Sequence, residues 1–505
     1  MKRKNSLWGK ALIGVTALFT ITNLAFAQAT PGGTIIRNQA SATYTDDVSN
    51  PTKYSATSNE VTTTVSYVAG LAITPDGSTP STTVAPGATA TYTFTVSNLG
   101  NFTDIVEFKA SGASVRLTGT GSGTVSQAFV DINGNGNYDS GTDVDILGNS
   151  AVATTSLAQS ASVAVVVKVT VSGSASAGQT LKVDLGDTGG ASPYDNQTAD
   201  NSANEVHTKH PGSITAVNGE REAKGDITMT VGAVPAVTNG PTGQPGAQGP
   251  GPSSNTDYTN KAVSTTATNT PTVFDNTLKN GGNSADTFTL KIATGGAPAG
   301  SKVEISIDGG TLWTEVITSG APSGTPTVTT TSVASGANFN YKVRVTLPGG
   351  ATVLTGYDTV VQACSVLDPT QMNNTIDRIY AGYLRLVKTA TVTNATGIGG
   401  ATDPVPGANI EYVIAYNNIA NAPTGTGNVD LDALLVVITE DGDVSPNNWA
   451  TTTDRVASTE SDSRGGAIAI SNSTGGVASS KYVDTVGTLA GGQSGTLRFT
   501  RKIKQ

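Results

Sequence analysis

Residues 154–171 read TTSLAQSASVAVVVKVTV, and residues 330–347 read TTSVASGANFNYKVRVTL. The two stretches align residue for residue without a gap. In the second half of each, from Val163 and from Phe339, every other residue is apolar. This period of two is typical of a strand with one face in a core and the other in water. Because a repeated supersecondary unit defines an architecture more firmly than residue propensity does, the pair predicts a repeated β unit.

Two further alignments extend the repeat. Pro86–Asn98 and Pro406–Asn418 both start with Pro-Gly-Ala and continue as an alternating strand that ends in asparagine. The Pro-Gly step predicts a turn before that strand. The third alignment places Asn98–Lys109 against Asn280–Lys291, where asparagine and glycine would supply the positive φ angles of a hairpin corner. Together the alignments predict three copies of one β-sandwich.

The predicted organisation is a leader, a hairpin segment and three sandwiches. We expect the first strands of the sandwiches at Gly70–Ile73, Gly225–Met229 and Gly382–Leu386. The predicted segments are a signal peptide at 1–27, an N-terminal β-hairpin segment at 28–69, and sandwiches at 70–212, 213–380 and 381–505.

The second copy contains extra residues, among them the Pro/Gly run at 240–250. Its Gly-X-Y period is similar to collagen but is far too short for a stable triple helix. We therefore predict an insertion loop at 234–257 that is disordered or extended and can be removed without loss of stability.

The composition also indicates an all-β protein. Glycine (59 residues) and proline (22 residues) interrupt the chain often, and the abundant threonine and valine favour pleated surfaces, so long helices are not expected. A chain of 505 residues is long enough for several domains that each bury a core. Cys364 is the single cysteine, so no intrachain disulfide can form, and we expect its thiol to be buried.

The N-terminal sequence predicts secretion. Basic residues at 2–4 precede an apolar stretch at 11–19, and Ala25-Phe26-Ala27 is typical of a cleavage site. The apolar stretch is shorter than the roughly 20 residues that a membrane span needs, and no later stretch is apolar enough to span. The net charge of −9 becomes more negative when the leader is removed, which argues against nucleic acid and anionic lipid as partners.

The mature N-terminus, residues 28–69, alternates in two stretches around Asn50-Pro51 and predicts a hairpin. An isolated hairpin is marginally stable in water, so we expect this one to pair with the first sandwich or with another molecule. An open strand edge is a natural acceptor for a partner strand.

Several of these motifs resemble a known family. The pattern at Pro86–Asn98 and Pro406–Asn418, the Leu-x-Leu-x-Lys strand at Leu384–Lys388 and the phrase at Asn38–Tyr44 are similar to the bacterial conserved-repeat surface domain. The resemblance is thinner for the second copy, which lacks the Pro-Gly turn. It implies tandem Ig-like antiparallel β-sandwiches, found in large cell-surface and S-layer-associated proteins, and no assigned catalysis.

One loop has the spacing of a calcium site. Calcium takes six to eight oxygen ligands, and oxygens at loop positions 1, 3, 5, 7 and 9 with glycine at 6 can surround one ion. In the sequence from 131 to 145, threonine stands where a bidentate glutamate would be expected at position 12. The alternative is a loop of Asx turns that cap their own backbone. The predicted ligands are Asp131, Asn133, Asn135, Asn137, Asp139 and Asp143.

Other candidate residues favour structural roles. His207 and His210 lack a further histidine or cysteine to complete a zinc site, and we predict exposed loop residues. Trp313 and Trp449 are predicted to pack in cores rather than to form carbohydrate platforms. No catalytic set can be assembled, so the sequence predicts that the protein is not an enzyme.

These observations lead to one expected function and one alternative. We expect a secreted, non-enzymatic structural protein of the bacterial cell envelope or surface layer. Its β-sandwich repeats would assemble with other envelope or surface-layer proteins, including further copies of this chain. The alternative is an adhesin or carbohydrate-binding surface module, which requires an exposed aromatic platform.

Overall fold

A computed structural model shows an all-β chain built of tandem β-sandwiches. The predicted signal peptide lies outside the described residues. No helix in the described part of the chain is long and apolar enough to cross a membrane. The structure describes residues 29–46, 48–49, 51–77, 82–187, 198–199, 202–249, 256–293, 299–318, 321–322, 327–422 and 424–505.

The N-terminal segment forms a two-stranded antiparallel ribbon. Its two strands are each interrupted once, so that the ribbon consists of two consecutive paired sections, β1 with β4 and β2 with β3. All residues of the four strands are exposed. The strands are β1 (Ile35–Asn38), β2 (Ser41–Tyr44), β3 (Tyr54–Thr57) and β4 (Val61–Thr64).

The first sandwich buries the alternating residues that the sequence repeat identified. One sheet has the strand order β11-β10-β13-β7-β5, in which β13 pairs with β7. Val165 and Val167 of β13 and Phe94 of β7 are fully buried in the core. Two further sheets, β12-β8-β15 and β6-β16-β14-β9, complete it. The strands are β5 (Leu71–Thr74), β6 (Thr83–Val84), β7 (Thr89–Asn98), β8 (Asp104–Phe108), β9 (Val115–Thr118), β10 (Gly123–Asp131), β11 (Val144–Asp145), β12 (Ala153–Leu157), β13 (Ser162–Val171), β14 (Thr180–Leu185), β15 (Val206–Thr208) and β16 (Gly225–Val231), with one 3-10 turn at Ala110–Gly112.

Strand β16 corrects the expected start of the second sandwich. We expected Gly225–Met229 to open that sandwich, but β16 pairs along its length with β14 of the first. The first compact unit accordingly ends at Gly232 and the second begins at Ala233. An alternating stretch shows that a strand has a buried face, but not which neighbour it pairs with, so the sequence could not separate the two assignments.

The second sandwich consists of two sheets around its own core. Their orders are β17-β19-β25-β21-β22-β23 and β18-β27-β26-β20-β24. The pair β18 and β27 is parallel, whereas β19 and β25 are antiparallel, like β7 and β13 in the first sandwich. The strands are β17 (Val237–Pro241), β18 (Tyr258–Val263), β19 (Thr272–Asn280), β20 (Phe288–Ile292), β21 (Lys302–Ser306), β22 (Thr314–Thr318), β23 (Ala321–Pro322), β24 (Val328–Thr329), β25 (Asn338–Thr346), β26 (Gly356–Ser365) and β27 (Met372–Ala381).

Strand β17 corrects the predicted insertion loop at 234–257. It pairs with β19, and the side chain of Asn239 is fully buried. Asn239 Nδ2 donates to the Val361 carbonyl at 3.1 Å, and Tyr341 donates to Asn239 Oδ1 at 2.8 Å. Satisfied polar side chains let a Pro/Gly-rich stretch join a core without apolar residues, which a composition argument does not detect. Residues 250–255 of the predicted loop lie outside the described residues.

The third sandwich again carries the repeated central pair. Its sheets are β28-β29-β35-β31, with β32 also on β35, and β30-β34-β33. Strands β29 and β35 pair antiparallel, and Phe499 and Tyr482 stack in the core with ring centroids 4.3 Å apart. The elements are β28 (Leu384–Thr393), β29 (Asn409–Asn418), β30 (Ala433–Asp441), α1 (Trp449–Thr452), β31 (Thr453–Arg455), β32 (Ser461–Asp462), β33 (Ala467–Ser471), β34 (Lys481–Leu489) and β35 (Ser494–Ile503).

A buried asparagine closes the end of the same strand in each sandwich. Asn98 donates to the carbonyls of Phe102 and Leu157 at 2.8 and 2.9 Å, and its Oδ1 accepts the Gly100 amide at 2.8 Å. Asn280 and Asn418 make the corresponding three bonds in their own sandwiches. The positive φ expected at Asn98 and Asn280 is wrong, since neither residue adopts it. The asparagine is repeated because its side chain joins three backbone groups that would otherwise be buried without partners.

Within the second compact unit, a segment of the third sandwich pairs with the second. Val429 forms a bridge with Thr259 of β18, and the Asn260 amide donates to the Val429 carbonyl at 2.8 Å. The Tyr258 hydroxyl lies 3.1 Å from Asp430 Oδ1. Backbone pairing together with a buried tyrosine fixes the position of one sandwich on the other.

Candidate binding and assembly sites

The predicted calcium loop folds around two buried carboxylates. Asp131 Oδ1 accepts the Gly134 amide at 2.8 Å, and its Oδ2 accepts the Gly136 amide at the same distance. Asp143 accepts the amides of Ile132 and Asp139 at 2.9 and 2.7 Å. Only 4% and 8% of Asp131 and Asp143 are exposed. The two carboxylates therefore organise the loop through its own backbone.

The remaining predicted ligands lie on the exposed side of this loop. Asp139 Oδ2 accepts the side-chain amides of Asn133 and Asn135 at 2.7 and 2.6 Å. These two hydrogen bonds lower the pKa of Asp139 below its usual value. The side chain of Asn137 bonds back to the Asn135 carbonyl at 3.4 Å and not to a carboxylate. Across the described ranges, no group of three or more histidine, cysteine, aspartate or glutamate side chains could hold a metal ion.

The N-terminal ribbon is held to the first sandwich at its base. Asn101 Nδ2 donates to the Ser66 carbonyl at 2.9 Å, and its Oδ1 accepts the Val68 amide at 2.8 Å. The ring of Tyr67 meets that of Phe102 edge-on, with centroids 5.5 Å apart. The ribbon is thus a fixed projection of the first unit, and its own strands make no core.

The ribbon presents apolar side chains and open strand edges. Ile36 is 52% exposed and Val61 is 59% exposed, and the register places the two on one face. Tyr44 and Tyr54 stand opposite each other on β2 and β3, with ring centroids 5.5 Å apart. In the described structure each strand pairs with one neighbour only, which leaves its other backbone edge free of strand partners. Such an edge is a template for further strand pairing.

Comparisons with known proteins do not identify the chain. No protein-family model matches it, and no curated protein matches it in sequence. Among solved structures it is similar to the CupB6 tip adhesin from Pseudomonas aeruginosa, with 13% identity, a TM-score of 0.21, and coverage of 63% of this chain and 98% of that one.

Two further solved structures show similarly weak likeness. The C-terminal domain of the Streptococcus agalactiae AgI/II polypeptide BspA is 9% identical, with a TM-score of 0.23 and coverage of 54% of this chain and 92% of that one. The C-terminal domain of the Streptococcus pyogenes antigen I/II-family protein AspA is 8% identical, with a TM-score of 0.17 and coverage of 62% and 99%. TM-scores of this size carry no argument, so function has to be inferred from the chain's own residues.

The two histidines correct the prediction of exposed loop residues. His207 lies in β15 and is 6% exposed, with Nε2 at 3.3 Å from Glu107 and Nδ1 at 3.3 Å from Glu205. His210 Nδ1 lies 3.2 Å from Asp104. Glu107 and Asp104 belong to β8, which pairs with β15, and Glu205 directly precedes β15. The two partners on β8 lie about a hundred residues from the histidines and cannot be identified from the histidines alone.

The tryptophans and the cysteine follow the structural prediction in part. Trp449 is 5% exposed and packs on Phe499 and Tyr482 in the third core. Trp313 lies outside the core cluster, and the Arg344 guanidinium covers its ring at 4.4 Å from the centroid. Cys364 is buried, as predicted, and its burial raises the pKa of the thiol.

Proposed function

We propose that this chain is a secreted, non-enzymatic structural protein of the bacterial cell envelope or surface layer, and that copies of it associate through the N-terminal ribbon. The observation that carries the proposal is the ribbon itself. It is fixed at its base, it exposes Ile36 and Val61 on one face, and its edges are open. A ribbon of this kind gains stability when another strand or apolar face covers it.

The sandwiches that follow the ribbon in the chain suit a spacing role. Backbone pairing between β18 and Val429 joins the second and third sandwiches, and each sandwich has a separate buried core. An element that sets distances in a layer needs stiff joints more than it needs a catalytic cleft. We include calcium in the proposal as a stabiliser of the loop at 131–143, where Asp131 and Asp143 would exchange backbone amides for the ion.

The test is a pair of charges placed on the ribbon of the full mature chain. The double variant Ile36→Lys, Val61→Lys should remain monomeric in sedimentation velocity over a concentration range in which the wild-type protein associates. Charged side chains on an open edge oppose edge-to-edge pairing. Leu312→Lys is the matched control, because Leu312 is 74% exposed and lies away from the ribbon in sequence. Association of the double variant at wild-type concentrations, or a wild-type protein that never associates, would contradict the proposal.

One observation favours the adhesin alternative. The rings of Tyr44 and Tyr54 are 57% and 41% exposed and lie side by side, which is the exposed aromatic platform that the alternative requires. Tyr44→Ala would remove glycan retention on a carbohydrate array if this surface is an adhesin site. Unchanged self-association in the same variant would then separate the two functions.

A further inference from the structure

A layer of polar side chains crosses the core of the second sandwich. Asp377 of β27 lies between its directly paired residues, Thr259 of β18 and Thr359 of β26. From the opposite sheet, Asn276 Nδ2 donates to Asp377 Oδ2 at 2.9 Å. None of the four residues is more than 3% exposed. Polar groups at this depth stabilise a fold only when their hydrogen-bonding capacity is used.

A second carboxylate belongs to the same layer. Asp257 precedes β18 on the side of the strand that carries Thr259, and it is fully buried. Thr375, two residues before Asp377, donates to Asp257 Oδ2 at 2.6 Å. Two carboxyl groups from neighbouring strands therefore enter the interior at adjacent levels of the sandwich.

Five oxygen atoms of this layer lack a hydrogen-bond partner in the described structure. Each of them is buried. The two threonine hydroxyls lie on strands directly paired with that of Asp377, yet neither donates to its carboxylate. A buried oxygen without a partner destabilises a fold, and five such atoms in one layer are exceptional for a native core. The atoms are Asp257 Oδ1, Thr259 Oγ1, Asn276 Oδ1, Thr359 Oγ1 and Asp377 Oδ1.

The layer has only a distant counter-charge. The nearest cationic side chain along β18 is Lys261, whose ammonium donates to the Val273 carbonyl at 2.6 Å and lies 5.6 Å from the Phe274 ring centroid. No ion pair to Asp257 or Asp377 occurs among the described residues. Two ionised carboxylates are stable there only with a cation beside them.

We infer that the second sandwich encloses a calcium ion held by Asp257, Asp377, Asn276 and Thr259. Two carboxylates balance the charge of a divalent ion, and these four oxygens leave two to four positions for further oxygens or water in a calcium shell of six to eight. The ligand set contains no sulfur or nitrogen, the donors that dominate zinc sites, and this disfavours zinc. Magnesium usually retains several waters, so a cage made chiefly of protein oxygens favours calcium. This site is separate from the loop at 131–143 and independent of the proposed function.

The test uses the full mature chain in an Asp131→Asn, Asp139→Asn background, which removes the loop site from the measurement. The protein is unfolded in denaturant with chelator and refolded with or without calcium. After exhaustive dialysis, bound calcium is counted by elemental analysis. We expect one ion per chain in this background and none after Asp377→Asn is added.

Thr259→Val distinguishes an ion site from a merely unsatisfied core, and it remains informative if Asp377→Asn fails to fold. If Thr259 binds calcium, this nearly isosteric change should lower calcium retention and lower the calcium-dependent rise in melting temperature. If the hydroxyl is simply unpaired, its removal should raise the melting temperature equally with calcium and with chelator. That second result, or a background protein that retains no calcium, would overturn the inference.

Discussion

The repeated asparagine gives the sharpest test of what holds each sandwich together. Asn98→Ala removes two donations to buried carbonyls and leaves the Gly100 amide without its acceptor. At about 1 kcal/mol net per hydrogen bond, and more for groups left unsatisfied, the loss should be about 3–5 kcal/mol. For a domain of this size that corresponds to a fall in melting temperature of roughly 10 °C.

Differential scanning calorimetry of the full chain can measure this loss in one unit at a time. The transition of the first unit should move, while that of the second stays in place. Ser97→Ala, on the neighbouring position of the same strand, is the control and should cost under about 0.5 kcal/mol. Asn98→Asp keeps the acceptor for Gly100 but places a buried carboxylate oxygen against the Phe102 and Leu157 carbonyls, so at neutral pH it should cost at least as much as alanine. If Asn98→Ala costs no more than Ser97→Ala, the side-chain bridge is not what stabilises the strand end.

Three further predictions follow from other features. Burial and the nearby carboxylate of Asp462 raise the pKa of Asp484 to about 6, so the folded third sandwich holds a proton that the unfolded chain releases at about pH 4. The stability of the wild-type protein should therefore fall, relative to that of Asp484→Asn, as the pH rises from 4 to 6. An equal change in the free energy of unfolding of the two proteins over this pH range would refute the prediction. Calcium in the millimolar range should raise the melting temperature of the first unit, and the double variant Asp131→Asn, Asp139→Asn should abolish the rise. Equal melting temperatures in calcium and in chelator would contradict calcium binding and support the Asx-turn interpretation. Deletion of 237–241 should markedly destabilise the second sandwich because β17 and Asn239 are part of it, whereas an unchanged melting temperature would support the original loop prediction.

Local alternation predicted the strands well, and the reason is geometric. Val163–Val171 and Phe339–Leu347 alternate because one face of each strand lies in a core, so their period survives in the sequence whatever the partner is. The repeat alignments then placed equivalent strands in three copies. The pairing of β16 with β14 was missed because pairing depends on residues far apart in the chain.

The candidate sites were predicted less completely for the same reason. The loop at 131–143 is local, so its residues could be grouped from the sequence, and the structure shows Asp131 and Asp143 bonded to the backbone of that loop; calcium binding by these residues stays a prediction. The polar layer of the second sandwich joins residues on β18, β19, β26 and β27, and no short motif contains them. His207 was misjudged because its carboxylate partner Glu107 lies on another strand. A signal did exist for the asparagine bridge, since the same residue recurs at the end of three aligned strands.

The pairing of Val429 with β18 has a mechanical consequence. A tensile load entering through the third sandwich reaches the second through the covalent chain near Gly382 and also through the bonds between Val429 and the backbone of Tyr258 and Asn260. Because Thr259 and Val429 form a parallel bridge, a pull along β18 loads its two backbone hydrogen bonds in shear together rather than opening them one by one. The joint should therefore resist bending and extension together, and a layer built from such chains would yield first at its contacts between molecules.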